Sequence, residues 1–271
     1  MGSLGFLYNT AFGRLLLKPL ASSPVSRLSG WFLDRRISAK LIPSFVKKNN
    51  INVEDYDITS VRTFNDFFCR RIKEGRRPIE TDPGVLMSPC DGLLTVYPIS
   101  KSTVLPVKQS SYTIDSLLDD EDLASKFEGG YCLVFRLCVD HYHRYAWFDG
   151  GRKKADRRIK GVYHTVRPVA LAARPVFIQN TREYSVIESD GFGTAVQMEV
   201  GAMLVGRIVN DMPGEGAVAR GQEKGHFEYG GSTIIVLIGK GAADIREDIL
   251  KASSEGAETP VKMGEGIGKG K

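Results

Sequence analysis

Near the C-terminal end of the 271-residue chain, Gly230, Gly231, Ser232 and Thr233 stand directly before a five-residue apolar run, Ile234 to Ile238. A run of that length and composition reads as a buried strand, so its first residues are held in place. Glycine adopts strained backbone conformations cheaply, and a strained Gly231 brings its carbonyl carbon within reach of the Ser232 hydroxyl. Attack there replaces the peptide bond with an ester. Elimination at the Ser232 α-carbon frees the upstream chain, and hydrolysis of the remaining dehydroalanine leaves a pyruvoyl group at a new N-terminus. The same four residues also make an ordinary turn before a strand, so the tetrad alone leaves both readings open.

A serine that attacks needs a proton acceptor. Asp91, in Ser88-Pro89-Cys90-Asp91-Gly92, is a candidate, because a carboxylate fixed beside an imidazole holds its tautomer and stabilises the imidazolium. A turn aspartate before Gly92 is the alternative. The chain has four histidines: His141, His143, His164 and His226. His141 and His143 point the same way on a strand, but no third ligand stands at suitable spacing, so no metal is expected. His141 and His226 read as structural. Cys69, Cys90, Cys132 and Cys138 show no CxxC spacing, which argues against a zinc site or a disulfide framework and suits a reducing cytosol.

The elements that must position these residues divide in two. Residues 1 to about 75 read as helical: Leu4, Leu7, Tyr8, Phe12, Leu15 and Leu16 recur at helical spacing, Pro24 marks a helix start, and Thr63 caps a short helix with Asp66 in its first turn. From Val85 the pattern changes to short β-rich runs bounded by Gly, Asp and Pro, interrupted by a brief helix near 115 to 126. Asp190-Gly191 marks a hairpin turn between strand-like arms. The expected class is α+β, an N-terminal helical module (1–75) followed by packed, sandwich-like antiparallel sheets (76–271). The Gly-rich end either trails as a tail or packs irregularly.

With 42% apolar and 25% charged residues and a formal charge of +5, the chain buries one sizeable core and is only modestly basic. No run of about 18 apolar residues is present, so no membrane span is expected. Arg14 and Lys18 fall inside the first apolar segment, which is wrong for a secretory core and right for a helix lying at an interface. Residues 152–160 carry six cations, read as a basic hairpin tip that either meets an anionic surface or is simply solvated.

At this point a resemblance enters. The segment EYGGSTIIVLIG resembles the cleavage motif of the phosphatidylserine decarboxylase family in its Gly-Gly-Ser-Thr form. TFNDFFCRRIKEGRRPIE resembles that family's early helix motif, SPCDG its aspartate loop, LCVDHYHRYAWFDGG its histidine strand, and AETPVKMGEGIG its C-terminal signature. The five segments keep the family order and span roughly residues 60 to 268.

The resemblance implies scission between Gly231 and Ser232 into chains 1–231 and 232–271 that stay together as a heterodimer, with room for higher homo-oligomers. Ser232 becomes a covalent pyruvoyl cofactor, Asp91 the acidic member of the serine's relay. The pyruvoyl ketone takes the amine of phosphatidylserine as a Schiff base, carbon dioxide leaves, His143 or its water returns a proton, and phosphatidylethanolamine is freed. The implied setting is peripheral, on the anionic cytoplasmic face of the cell membrane, with no nucleic acid.

One position departs from the pattern. Many members read His-Arg-x-His, whereas His143, Arg144, Tyr145 and Ala146 stand here, so the usual relay base is missing. A hairpin folded near Ala155 sets residues 146 and 164 opposite each other, with Cβ atoms about 5 Å apart. His164 is therefore the expected replacement, with His143 the alternative. Two other functions stay open: a pyruvoyl-dependent decarboxylase of a free aromatic amino acid, and an uncleaved, non-catalytic lipid-binding homologue.

Overall fold

The computed structural model describes residues 3–100, 113–166, 168–171, 176–202, 207–229 and 232–271. Three helices open the chain, Ser3–Asn9, Ala11–Leu20 and Ser23–Leu33, followed by a 3-10 turn at Arg36–Leu41 and a helix at Ile42–Asn49. The Thr10 hydroxyl accepts the Gly13 N–H at 2.9 Å to start the second, and a proline in its first turn starts the third. Tyr8 and Leu17 turn inward and join Val134, Met198 and Leu237 in one apolar cluster. Phe12 and Leu15 face outward, 62% and 60% exposed. The opening helices thus pack on the rest of the chain with one face and leave an apolar face to solvent.

The centre is an eight-stranded sheet. In spatial order its strands are Gly216–Val218, Gly151–Ile159, Arg182–Ser189, Gly193–Val200, Ser232–Ile238, Tyr131–Leu137, Gly92–Pro98 and Thr259–Val261, all antiparallel. Ser232–Ile238 lies in the middle with every residue buried. Alternation sends Ile234, Val236 and Ile238 to one face, Ile235 and Leu237 to the other. Two three-stranded sheets cover the first face: Ile208–Asn210 with Glu223–Phe227 and Arg144–Ala146, and Ala243–Ile245 with Gly266–Gly270 and Val85–Met87. Helices Ile114–Leu118 and Val176–Gln179 cover the second, together with the opening helices. Cover on both sides explains why the run from Ile234 to Ile238 is apolar without interruption. The α+β class expected from the sequence is the class observed.

The hairpin read at Asp190-Gly191 is present, with Ser189 opposite Gly193 and the loop closed by Gly193 at a φ of +67°. The C-terminal segment packs: Thr259–Val261 pairs with Gly92–Pro98, and Gly266–Gly270 pairs on both its edges.

Two expectations are corrected. Residues Gly151–Ile159 form one continuous strand paired to Arg182–Ser189, so no turn falls at Ala155; the backbone there only bulges. Arg144–Ala146 pairs instead with Glu223–Phe227, with Glu223 opposite Ala146, and residue 164 is therefore not opposite 146. Nor is His164 on a strand. Asn180 takes the place of a ladder partner, its Oδ1 accepting the His164 N–H and its Nδ2 donating to the His164 carbonyl, both at 2.8 Å. The basic stretch is likewise not a hairpin tip. Lys153 is buried against Asp156 at 2.7 Å, Arg157 meets Asp119 at 2.6 Å and Arg158 meets Glu183 at 2.8 Å.

Candidate active site

Sheet register gathers the candidate residues at one end of the central strands. Ser232 pairs with Leu137, and Leu93 on the other side pairs with Arg136, so Gly92 lies one step further, beside Leu137. Gly92 and Ser232 thus flank Leu137 at roughly 10 Å, two strand spacings. Asp91, directly before Gly92, stands at the same edge as the serine. Ser232 is fully buried, and its Oγ has no hydrogen-bond partner among the described residues. Gly230 and Gly231, the latter expected to carry the strained carbonyl, lie outside the described residues.

Asp91 is held from two sides. Arg77 donates to it through Nε at 2.8 Å and Nη2 at 2.5 Å, and the Met263 N–H donates to Oδ1 at 2.9 Å. Met263 reaches this point because Gly264 turns the backbone at a φ of +87° and presses against the Pro78 carbonyl, where a Cβ would come within 2.3 Å. The Gly264 N–H then bonds the Ser88 carbonyl at 2.9 Å, and the Ser88 hydroxyl closes the aspartate loop on the Cys90 carbonyl at 2.8 Å.

His143 is fully buried, and its Nε2 lies 3.0 Å from the Cys138 carbonyl. A carbonyl only accepts, so Nε2 carries the proton and Nδ1 keeps a lone pair, which has no partner among the described residues. Burial, reinforced by the Arg70 charge, pulls the pKa of the ring well below the usual histidine value. Phe68 stacks on the ring at 4.1 Å and meets Tyr229 edge-on at 5.1 Å. Phe68 comes from helix Phe64–Phe68, whose start is fixed by a reciprocal Thr63–Asp66 cap, as read from the sequence. That helix therefore ties the histidine to the chain entering the Gly-Gly-Ser-Thr segment.

His141, read from sequence as structural, is the imidazole that the Asp91 charge reaches. Its Nδ1 accepts the Cys138 N–H at 3.1 Å. Burial lowers its pKa, while Asp140 and Asp91 pull the other way. Ligand atoms of Cys138, Asp140 and His141 lie within 4.8 Å of one another, so a third potential ligand does stand beside His141, where the sequence suggested none. The Arg136 guanidinium donates to the same sulfur at 3.1 Å and would repel a cation there.

His164 stands apart from Asp91. Its Nδ1 lies 3.3 Å from the Tyr8 hydroxyl, in a cleft shared with Leu15 and Lys18. A buried pair that sequence reasoning missed, Glu199 and Lys224 at 2.6 Å, lies under the rings of Tyr145 and Trp147, the two neighbours of Ala146 in the chain. A Glu and a Lys in separate β-rich runs gave no sign of meeting.

A pyruvoyl group at Ser232 suits this setting: the hydroxyl is buried and has no partner among the described residues, and its strand is held by pairing on both edges.

The family model for phosphatidylserine decarboxylase matches residues 64–269. A phosphatidylserine decarboxylase proenzyme 2 of Clostridium acetobutylicum is 42% identical over 269 residues, covering 99% of this chain and 92% of the relative. Proenzymes of Ruminiclostridium cellulolyticum and Clostridium kluyveri are 41% and 40% identical over 271 residues, each covering 98% of this chain and, respectively, 90% and 91% of the relative. Matched by the family model over residues 64–269 and by relatives about 40% identical along nearly its whole length, the chain belongs to the phosphatidylserine decarboxylase family.

Proposed function

We propose that this chain is a self-processing decarboxylase that cuts itself between Gly231 and Ser232 and removes carbon dioxide from phosphatidylserine to leave phosphatidylethanolamine. The observation that carries the reading is the buried Ser232 hydroxyl at the head of the central strand, without a hydrogen-bond partner among the described residues, at the strand end where Asp91 and His143 also lie. Scission leaves chains 1–231 and 232–271. They stay joined, because Ser232–Ile238 is paired on both edges and Met263 is bonded to Asp91.

The pyruvoyl group made from Ser232 supplies a carbonyl that draws electrons from the carbon losing carbon dioxide. Asp91, clamped by Arg77, fixes a negative charge at the serine edge. His143 is oriented by its Nε2 bond and the Phe68 stack, and its Nδ1 lone pair holds the water whose proton returns to the substrate carbon, the hydroxide left behind taking up the proton that the substrate releases. His164 is not given the relay role beside Asp91, because the pairing that would have brought it to Ala146 is replaced by Glu223.

Residues 1–75 form the membrane-associating part and 76–271 the catalytic core. Phe12, Leu15, Leu28, Trp31 and Ile37 are each more than half exposed, an apolar surface suited to lying in the headgroup boundary of an anionic leaflet. Among the described residues no helix is long and apolar enough to cross a membrane. A cleft of about 560 Å³ lined by Leu28, Phe32, Phe45, Lys48, Phe64 and Tyr229 opens on that surface. An acyl chain fits its apolar wall and a headgroup phosphate fits Lys48, which favours a lipid over a free amino acid.

The test is turnover of vesicles containing phosphatidylserine, followed by carbon dioxide release and phosphatidylethanolamine formation. Wild-type protein is expected to turn over and Ser232→Ala to be inert. Equal rates from both overturn the reading.

A further inference from the structure

Ser232 points to the sheet face covered by the Arg144–Ala146 and Glu223–Phe227 strands, and Glu199 and Lys224 are buried on that same face, 0% and 2% exposed. Lys224 Nζ lies 2.6 Å from Glu199 Oε2 and 3.2 Å from Asn210 Oδ1, over the rings of Trp147 at 5.0 Å and Tyr145 at 5.9 Å. Asn210 Nδ2 donates to the same Oε2 at 3.3 Å. Glu199 Oε1 has no partner among the described residues, and neither has Ser232 Oγ.

Register puts these two oxygens on one sheet face, with no hydrogen bond between them in this structure. Glu199 stands opposite Ile234, and Ser232, two residues earlier, shares that face. Diagonal neighbours of this kind have Cβ atoms about 7 Å apart, a gap that a glutamate side chain spans to reach a serine hydroxyl. Lys224 is the extra residue of a bulge between Glu223 and Gly225, and the bulge aims its ammonium at the rings of Trp147 and Tyr145. Burial raises the pKa of Glu199 and Lys224 lowers it, leaving a carboxyl above the ordinary range and hence a better proton acceptor than an exposed one.

We propose that Glu199, anchored by Lys224, takes the Ser232 hydroxyl proton during self-cleavage; this rests on the self-processing reading above. The Oγ proton passes to Glu199 Oε1 as Oγ bonds to the Gly231 carbonyl carbon. The bond from that carbon to the Ser232 nitrogen then breaks, and the nitrogen takes the proton back. Amide becomes ester with no atom gained or lost. Loss of the Ser232 α-proton next expels the Gly231 carboxylate, and water converts the dehydroalanine to the pyruvoyl end and ammonia.

The test is denaturing mass spectrometry of freshly made wild type, Glu199→Gln and the double variant Glu199→Leu/Lys224→Met, timed for appearance of the 232–271 fragment. Replacing a buried ion pair by apolar residues of similar size preserves packing, so the double variant separates proton transfer from structure. Glu199→Gln is expected to slow scission at least 100-fold. The double variant is expected to melt within a few degrees of Ser232→Ala and remain uncut. A folded double variant that matures within 3-fold of wild type overturns the proposal while leaving self-processing intact. A wild-type chain that never cuts overturns self-processing itself, and this assignment with it.

Discussion

Arg77 grips Asp91 through two parallel bonds, Nε to Oδ1 at 2.8 Å and Nη2 to Oδ2 at 2.5 Å, with both side chains nearly buried. The pair links the early helix motif to the aspartate loop, and the Met263 N–H adds the C-terminal signature to the same carboxylate. Removing one partner of a buried pair strands the other charge. Arg77→Leu is therefore expected to cost about 3 kcal/mol of unfolding free energy, read by denaturant titration in the uncut Ser232→Ala background. A loss below about 0.5 kcal/mol would show that solvent already screens the pair.

His164→Ala is expected to leave maturation within 2-fold of wild type, because Ala146 faces Glu223 and His164 is engaged with Tyr8. Timed mass spectra check this. Arrest of scission in a folded His164→Ala protein would return the relay role to that residue.

Acid should destabilise the fold through its buried imidazoles. Burial and the Arg144 charge push His226 down to about 4, against an unfolded value near 6.5. Between those limits the unfolded chain binds a proton that the native chain refuses, so stability present above pH 6.5 is lost as pH falls toward 4. His141 and His143 shift the same way. In the Ser232→Ala background, His226→Gln is expected to flatten the stability–pH slope by up to one proton, less what solvent screens at its partly exposed ring. Identical slopes with and without His226 would contradict the shift.

Vesicle binding should depend on the opening helices and not on the basic strand. Phe12→Ser/Leu15→Ser removes two exposed apolar side chains and is expected to weaken cosedimentation with anionic vesicles at least 10-fold. Arg157→Gln/Arg158→Gln should change it less than 2-fold, because those cations already meet Asp119 and Glu183. The reverse ranking would assign the membrane contact to the strand.

The fold class was legible because period-2 runs, the Asp190-Gly191 turn and the Thr63 cap are local signals, and each describes what its own residues do. That Ser232 heads a buried strand was legible for the same reason, since an apolar run follows it directly. The partners of the site were not. Arg77 and Met263 converge on Asp91 across 186 positions of sequence (263 − 77), and nothing in either segment names the other. The misplaced turn at Ala155 came from reading a charged stretch as a tip, whereas Lys153 turns inward and the acids that pair the cations lie on other elements. Glu199 and Lys224 escaped because their meeting depends on a bulge, which shifts register without leaving a mark in composition.

Whether the backbone is cut ahead of Ser232 decides the rest. Freshly purified wild-type protein, denatured and weighed, is expected to give chains of 231 and 40 residues (271 − 231), the shorter with a blocked pyruvoyl end, and Ser232→Ala a single species. One intact wild-type polypeptide of 29.9 kDa that still releases carbon dioxide from phosphatidylserine would contradict the mechanism.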